Sequence, residues 1–183
     1  MLATARLRLR LWQDEDLEPY AALNADPRVR QFFPSLQTRR QSAESMQVIR
    51  NHWQRHGFGL WAVEIVGGAP FIGFIGLSVP AIDAPFMPCV ELGYRLAFDH
   101  WRHGYATEGS RAAIGFGFST LELPEIVAMT SAGNVRSRRV MERLGMTRNP
   151  VDDFDHPQIA AGHPLRRHVL YRLPAREWAR DET

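Results

Sequence analysis

The sequence predicts an α/β domain: a mixed, central sheet of six or seven strands flanked by helices. Three observations point there. Short runs of period-two or continuous apolar character recur along all 183 residues, and helical runs of 3.6-residue periodicity alternate with them. No repeat, low-complexity tract or composition shift marks a seam, so residues 1–183 are expected to form a single domain. A content of 45% hydrophobic and 23% charged residues suits a globular enzyme with its own core and argues against disorder.

The elements follow in order. In "RLRLRLW" (residues 6–12) Leu7, Leu9 and Leu11 share one face, which predicts a half-buried strand with a wet arginine face. Asp14 caps a helix through Asn24, stopped at Asp26 and Pro27. Thr38 and Gln41 have capping-box spacing, and Met46, Val48, Ile49 and Trp53 give the next helix, to His56, its apolar stripe. Residues 58–79 read as two strands joined by a tight turn at Gly67 and Gly68. Pro80, Pro85 and Pro88 make a loop before the strand "CVELGYRLAF".

"DHWRHGYATEGSRAAIGFGF" (residues 99–118) starts as a loop and becomes a helix carrying Gly115 and Gly117. An interior glycine costs about 1 kcal/mol relative to alanine, so close approach must require it. Ala106, Gly109, Ala113 and Gly117 share one face, which predicts a helix lying tightly on a strand. Gly104 at its start leaves the first helical N–H groups free to converge on an anion, a phosphate above all. Neither a G-x-x-x-x-G-K-[ST] nor a G-x-G-x-x-G pattern is present. "EIVAMTS" is a further strand, and "NVRSRRVMERLGM" a helix capped by Asn134 and stopped at Gly145. The polar loop "VDDFDHPQIAAGHP" precedes a last strand, "RHVLYRL", and a short helix with Pro174 at its start.

The net charge is +2, and all 22 basic residues are arginine. Arginine suits bidentate phosphate contacts, while biased composition explains its excess equally well. A single cysteine, Cys89, excludes an internal disulfide and a thiolate zinc site. The beginning alternates leucine with arginine, unlike a signal peptide, and no run nears the roughly 20 apolar residues of a membrane span. A soluble, cytoplasmic protein is expected. His52 with His56 and His100 with His103 lack an accompanying carboxylate in a metal-site arrangement, so no metal is expected.

"VELGYRLAFDHWRHGYATEGSRAAIGFGF" followed by "NVRSRRVMERLGM" resembles the GNAT superfamily of N-acetyltransferases, closest to its RimJ/RimL-like branch, the ribosomal-protein-alanine acetyltransferases. "TARLRLRLWQDEDLEPYAALNADPRV", the "GFGLWAVEI…FIGFIGL" pair and "HVLYRLPAREW" are similar to that branch too, so the resemblance spans nearly the whole chain. It implies transfer of an acetyl group from acetyl-CoA, as cosubstrate, to a primary amine. The amine would be a protein N-terminus or a small molecule. It also implies a cleft where two neighbouring parallel strands splay apart around the pantetheine arm. Carried over by motif, that strand is Tyr94, Arg95 and Leu96, and the pyrophosphate loop is Arg102, His103, Gly104, Tyr105, Ala106 and Thr107. Trp101 stands where the family pattern usually has Arg or Gln, and Arg102 where a small residue is frequent.

An attacking amine must lose a proton, and the leaving thiolate benefits from one. Glu91, on the strand entering the cleft, is the candidate base, directly or through a water; the alternative is a strand glutamate paired with an arginine. The tyrosine that many GNAT enzymes carry on the helix after the fifth strand is here Met141, which leaves Ser137 as the available hydroxyl, or else a local backbone donor. In the branch resembled this serine serves the sulfur, and Asn134 would both cap its helix and hold the pantetheine. Cys89 has no histidine partner in a motif, so direct attack is expected without an acyl-enzyme. Two other classes stay open: a nucleic-acid or ribosome-binding module, whose weakness is that the arginines form no dense stripe, and an acyl-CoA sensor without turnover. Asp152, Asp153 and Asp155, with Glu91, suggest a negative opening that favours a cationic acceptor, unless they only solvate a loop.

Overall fold

The computed structural model describes residues 1–181. In chain order the elements are β1 (Leu2–Ala3), β2 (Leu7–Arg10), α1 (Leu17–Ala25), α2 (Arg39–His56), β3 (Leu60–Ile65), β4 (Gly73–Ser78), β5 (Glu91–Leu96), α3 (Tyr105–Ser119), β6 (Glu125–Ser131), α4 (Val135–Arg143), β7 (Thr147–Arg148), β8 (Phe154–Asp155), β9 (Arg167–Pro174) and α5 (Ala175–Asp181). One sheet takes the strands in the order β1-β2-β3-β4-β5-β6-β9-β7, with β8 on β9. Among the described residues only β5 and β6 pair in parallel; the other neighbours are antiparallel. Six longer strands carry the predicted sheet, and the two-residue strands β1, β7 and β8 extend it.

The period-two pattern sets the first of these strands as far as Arg10; Leu11, expected on the buried face, lies past its end and is 58% exposed. Leu7 and Leu9 are fully buried, worth about 1.5–3 kcal/mol each, while Arg8 and Arg10 turn outward to Glu64. α3 covers this face of the sheet, and its small residues let it sit close. A Cβ on Gly109 would stand 2.5 Å from Ile75 Cδ1, and one on Gly117 2.7 Å from Ile126 Cδ1. Gly115 differs: a Cβ there meets nothing within 4 Å, so packing does not require that glycine. α1 and α2 cover the opposite face, where Trp12, Tyr20, Met46, Ile49, Phe71 and Phe74 make a second core layer. Among the described residues no helix is long and apolar enough to cross a membrane.

Local chemistry moved several boundaries from their expected places. Both Nη atoms of Arg10 hold the Asp16 carboxylate at 2.7 Å, and that carboxylate also accepts from the Gln13 N–H at 2.8 Å. A short 3-10 turn capped by Gln13 therefore precedes α1, and Asp14 is not its cap. Gly67 and Gly68 do turn the chain, but β4 resumes only at Gly73, because Pro70 has no N–H for the ladder. Gly73 adopts φ +138° with a Cβ position 2.2 Å from Arg95 O, a place only glycine fills. Val48 is 67% exposed and lies off the buried stripe of α2, which runs through Ser42, Met46 and Ile49. The polar loop after α4 contains β8 and a 3-10 turn, Pro150–Asp152.

Candidate active site

The parallel seam opens immediately. β5 and β6 share one register pair, Glu91 with Val127, with a 3.0 Å bond from the Val127 N–H to Val90 O. The other edge of β5 is laddered to β4 along its whole length, from Ser78 opposite Glu91 to Gly73 opposite Leu96. Backbone groups alternate along a strand, and the Ala97 N–H points to Ile72 O on the β4 side. The N–H groups of Tyr94 and Leu96 therefore face the open seam, where an extended ligand could add as a strand.

At the wide end of the seam the chain turns into α3. Trp101 Nε1 donates to Leu96 O at 2.8 Å and ties the loop back to β5. Arg102 (φ +64°) and Gly104 (φ +83°) are both left-handed, which costs the arginine about 1–2 kcal/mol. The first helical bond runs from the Glu108 N–H to Gly104 O at 3.0 Å, so the N–H groups of Tyr105, Ala106 and Thr107 point out of the helix end. His103 stacks on Tyr105 with ring centroids 5.5 Å apart. From Gly104 an open groove of about 740 Å³ runs along Thr107, Arg111 and Gly115 to Arg143 and Trp178. The residues present thus fit a ligand with a phosphate at the helix end and an extended arm in the seam. Gly115, unused in packing, borders that groove.

Across the seam α4 begins at Asn134, whose Oδ1 accepts the Ser137 N–H at 3.2 Å and whose Nδ2 donates to Thr130 Oγ1 at 3.0 Å. Ser137 Oγ lies 2.9 Å from the Tyr94 phenol oxygen, and that phenol also donates to Ser137 O at 2.9 Å. Tyr94, expected only as strand backbone, therefore bridges β5 to α4 with its side chain. Burial raises its pKa. The alternation of Leu92, Tyr94 and Leu96 toward one face was the available signal. Met141 is buried in the core.

Glu91 is partly buried and forms no ion pair among the described residues, so the paired-strand alternative does not hold. Burial pushes its carboxyl up to about 7. Burial, with Glu91 nearby, pushes the Cys89 thiol up to about 11, so it is no ready nucleophile; its Sγ lies 3.4 Å from Met87 Sδ.

Arg95 does not turn toward the phosphate loop. It projects to the opposite face, where Nη1 donates to Asn24 Oδ1 at 2.9 Å. His52 is structural: Nε2 accepts the Val79 N–H at 3.0 Å, so Nδ1 donates to Phe58 O at 2.9 Å. The loop aspartates are not a free negative patch. Arg172 holds Asp152, Arg148 holds Asp153, and Arg166 and Arg167 hold Asp155.

Comparison with known proteins agrees with this geometry. The family model described as an acetyltransferase (GNAT) domain matches residues 6–147. The chain is 32% identical over 146 residues to the uncharacterized protein YkkB of Bacillus subtilis (strain 168), covering 79% of this chain and 84% of that one. Among solved structures, an acetyltransferase from Agrobacterium tumefaciens str. C58 superposes with a TM-score of 0.74 at 28% identity, covering 94% of this chain and 92% of the other. A spermidine N-acetyltransferase from Vibrio cholerae, solved with CoA and spermine, shares the fold at a TM-score of 0.73 and 17% identity, covering 96% and 99%. With an open parallel seam, a glycine-started helix at its mouth and a family match over most of its length, the chain belongs to the GNAT acetyltransferases.

Proposed function

We propose that this protein transfers the acetyl group of acetyl-CoA to a primary amine by direct attack, as a RimJ/RimL-like member of its family. The observation that carries the reading is the β5–β6 seam. It opens after one register pair, with Glu91 at its closed end, Ser137 and Tyr94 across it and the free N–H groups of α3 at its mouth.

Tyr94 and Leu96 would hold the arm through their backbone, and Arg102, His103, Gly104, Tyr105, Ala106 and Thr107 the pyrophosphate. Asn134 orders the start of α4, and its side chain already has two partners within the fold. Acetyl-CoA supplies the thioester. Glu91, with a carboxyl near 7, is suited to accept the proton of the attacking amine. As the C–N bond forms and the C–S bond breaks, the Ser137 hydroxyl would donate a hydrogen bond to the departing thiolate, which then takes its proton from solvent; the Tyr94 phenol, which donates to Ser137 O, holds that serine in place.

The test is release of free thiol from acetyl-CoA against a panel of amines. For a wild-type substrate, kcat/KM should rise with pH through about 7 and level off, and Glu91→Gln should lower kcat about 10²–10³-fold. Stability supplies a second sign. A carboxyl whose folded value is raised from the usual 4.5 to about 7 destabilises the fold as pH rises between those values. Glu91→Gln should therefore melt higher than wild type at pH 8 and alike at pH 4. Unchanged kcat and an unchanged pH profile in this variant would remove Glu91 from the mechanism.

A further inference from the structure

The face of β5 turned away from α3 carries Glu91, Gly93 and Arg95, by strand alternation. Beyond it lie α1 and the segment joining α1 to α2, which brings Arg30 and Phe33 over the strand. The Arg95 guanidinium lies 4.0 Å from the Phe33 ring centroid, and that of Arg30 lies 4.5 Å from the same ring. Among the described residues neither arginine has a carboxylate partner. Other arginines without one, Arg55, Arg102 and Arg139 among them, are exposed, whereas Arg30 is buried and Arg95 half-buried.

The hydrogen bonds show which donors remain. A ring stacked on the flat face of a guanidinium leaves its in-plane N–H groups available. On Arg95, Nη1 is taken by Asn24 Oδ1, the buried Nε has no partner, and Nη2 has none among the described residues. Nε and Nη2 together form the two-pronged edge that matches the two oxygens of a carboxylate. Arg30 is only 7% exposed; its Nε bonds to Ser35 O at 2.8 Å, and its Nη groups have no partner among the described residues. Holding two cations against one ring without a counter-charge is unfavourable, and a bound anion would relieve it.

We propose that Arg95 and Arg30 bind a carboxylate of the acceptor, so that the substrate is an amine that also bears a carboxylate, as in an amino acid or a peptide. The inference rests on the acetyl-transfer reading and names its substrate class. Glu91 would receive the amine and Arg95, four residues along the same face, the acid. The Cα span between them is roughly 13 Å at about 3.3 Å per residue, so no ion pair between the two spends either charge. A polyamine, which carries only positive charge, would meet like charge at this end.

The experiment reads binding rather than turnover. Wild type is titrated with CoA by calorimetry. The CoA complex is then titrated with N-acetylglycine, N-acetyl-β-alanine and 4-acetamidobutyrate, each beside its own carboxamide. These product analogues vary the spacing between the acylated nitrogen and the acid. At least one acid should bind about tenfold or more tightly than its amide, the scale of a charge-assisted hydrogen bond. Arg95→Gln and Arg30→Gln should each remove most of that preference. Loss of Arg95 also takes the donor from the buried Asn24 Oδ1, so the melting points of the variants serve only to confirm that they fold. If Arg95→Gln does not fold, Arg30→Gln decides. Acids that bind no better than their amides, or a preference that survives both variants, overturn the proposal alone. Failure of CoA to bind wild type overturns the acetyl-transfer reading and the proposal with it.

Discussion

β6 has two different neighbours. Toward β9 it is joined through seven register pairs, from Glu125 opposite Pro174 to Ser131 opposite His168. Toward β5 it is joined through one. The closed seam is where the protein holds itself together: Ile126, Ala128, Val169, Tyr171 and Leu173 belong to the main core. The open seam leaves strand edge unpaired and places Glu91, Tyr94 and Ser137 around the gap. On the proposed reading one strand serves stability on one edge and chemistry on the other. Substitutions on the two sides should therefore fail in different ways.

The largest effect belongs to the closed seam. Leu170 is fully buried on β9, so Leu170→Ala should cost about 2–5 kcal/mol of stability, read as a fall in denaturation midpoint. CoA affinity of the folded fraction should stay within about twofold, because additivity holds for distant sites. An equal loss of affinity would mean that the two seams are not separate.

A smaller effect belongs to the mouth of the open seam. Gly104→Val puts a β-branched residue at φ +83°, a cost of about 1–2 kcal/mol, and should weaken CoA binding by about tenfold as the helix end shifts. A calorimetric titration reads it; unchanged affinity would place the phosphate elsewhere.

The smallest effect lies across the gap. Tyr94→Phe removes one hydroxyl from the pair with Ser137 and should lower kcat about fivefold, the scale of one hydrogen bond, while CoA affinity holds. Loss of affinity with kcat preserved would make Tyr94 a strut rather than part of the chemistry.

What the sequence showed and what it hid have physical reasons. The small face of α3 and the Asn134 cap are local patterns that form as expected, and the alternation of residues 6–12 does so as far as Arg10, beyond which Leu11 is exposed. The motifs from which the resemblance implies a donor side are contiguous, and the family match covers them. The acceptor side proposed above is assembled from residues far apart in sequence. Arg95 meets Asn24 and Phe33 across about 60–70 positions, and no periodicity reports such a meeting. The aspartates misled for the same reason: their neutralising partners include Arg166, Arg167 and Arg172, on the far side of the loop. Tyr94 was visible as a strand residue, but its hydroxyl's partner, 43 residues away, was not.

The central claim is that the unpaired edge of β5 receives acetyl-CoA. Amide hydrogen exchange, measured residue by residue with and without acetyl-CoA, tests it most directly. The N–H groups of Tyr94 and Leu96 should exchange rapidly in the free protein and slow markedly on binding, together with those of Tyr105, Ala106 and Thr107. The β6–β9 amides, already paired, should change little. Saturating acetyl-CoA that leaves Tyr94 and Leu96 exchanging as before would contradict it.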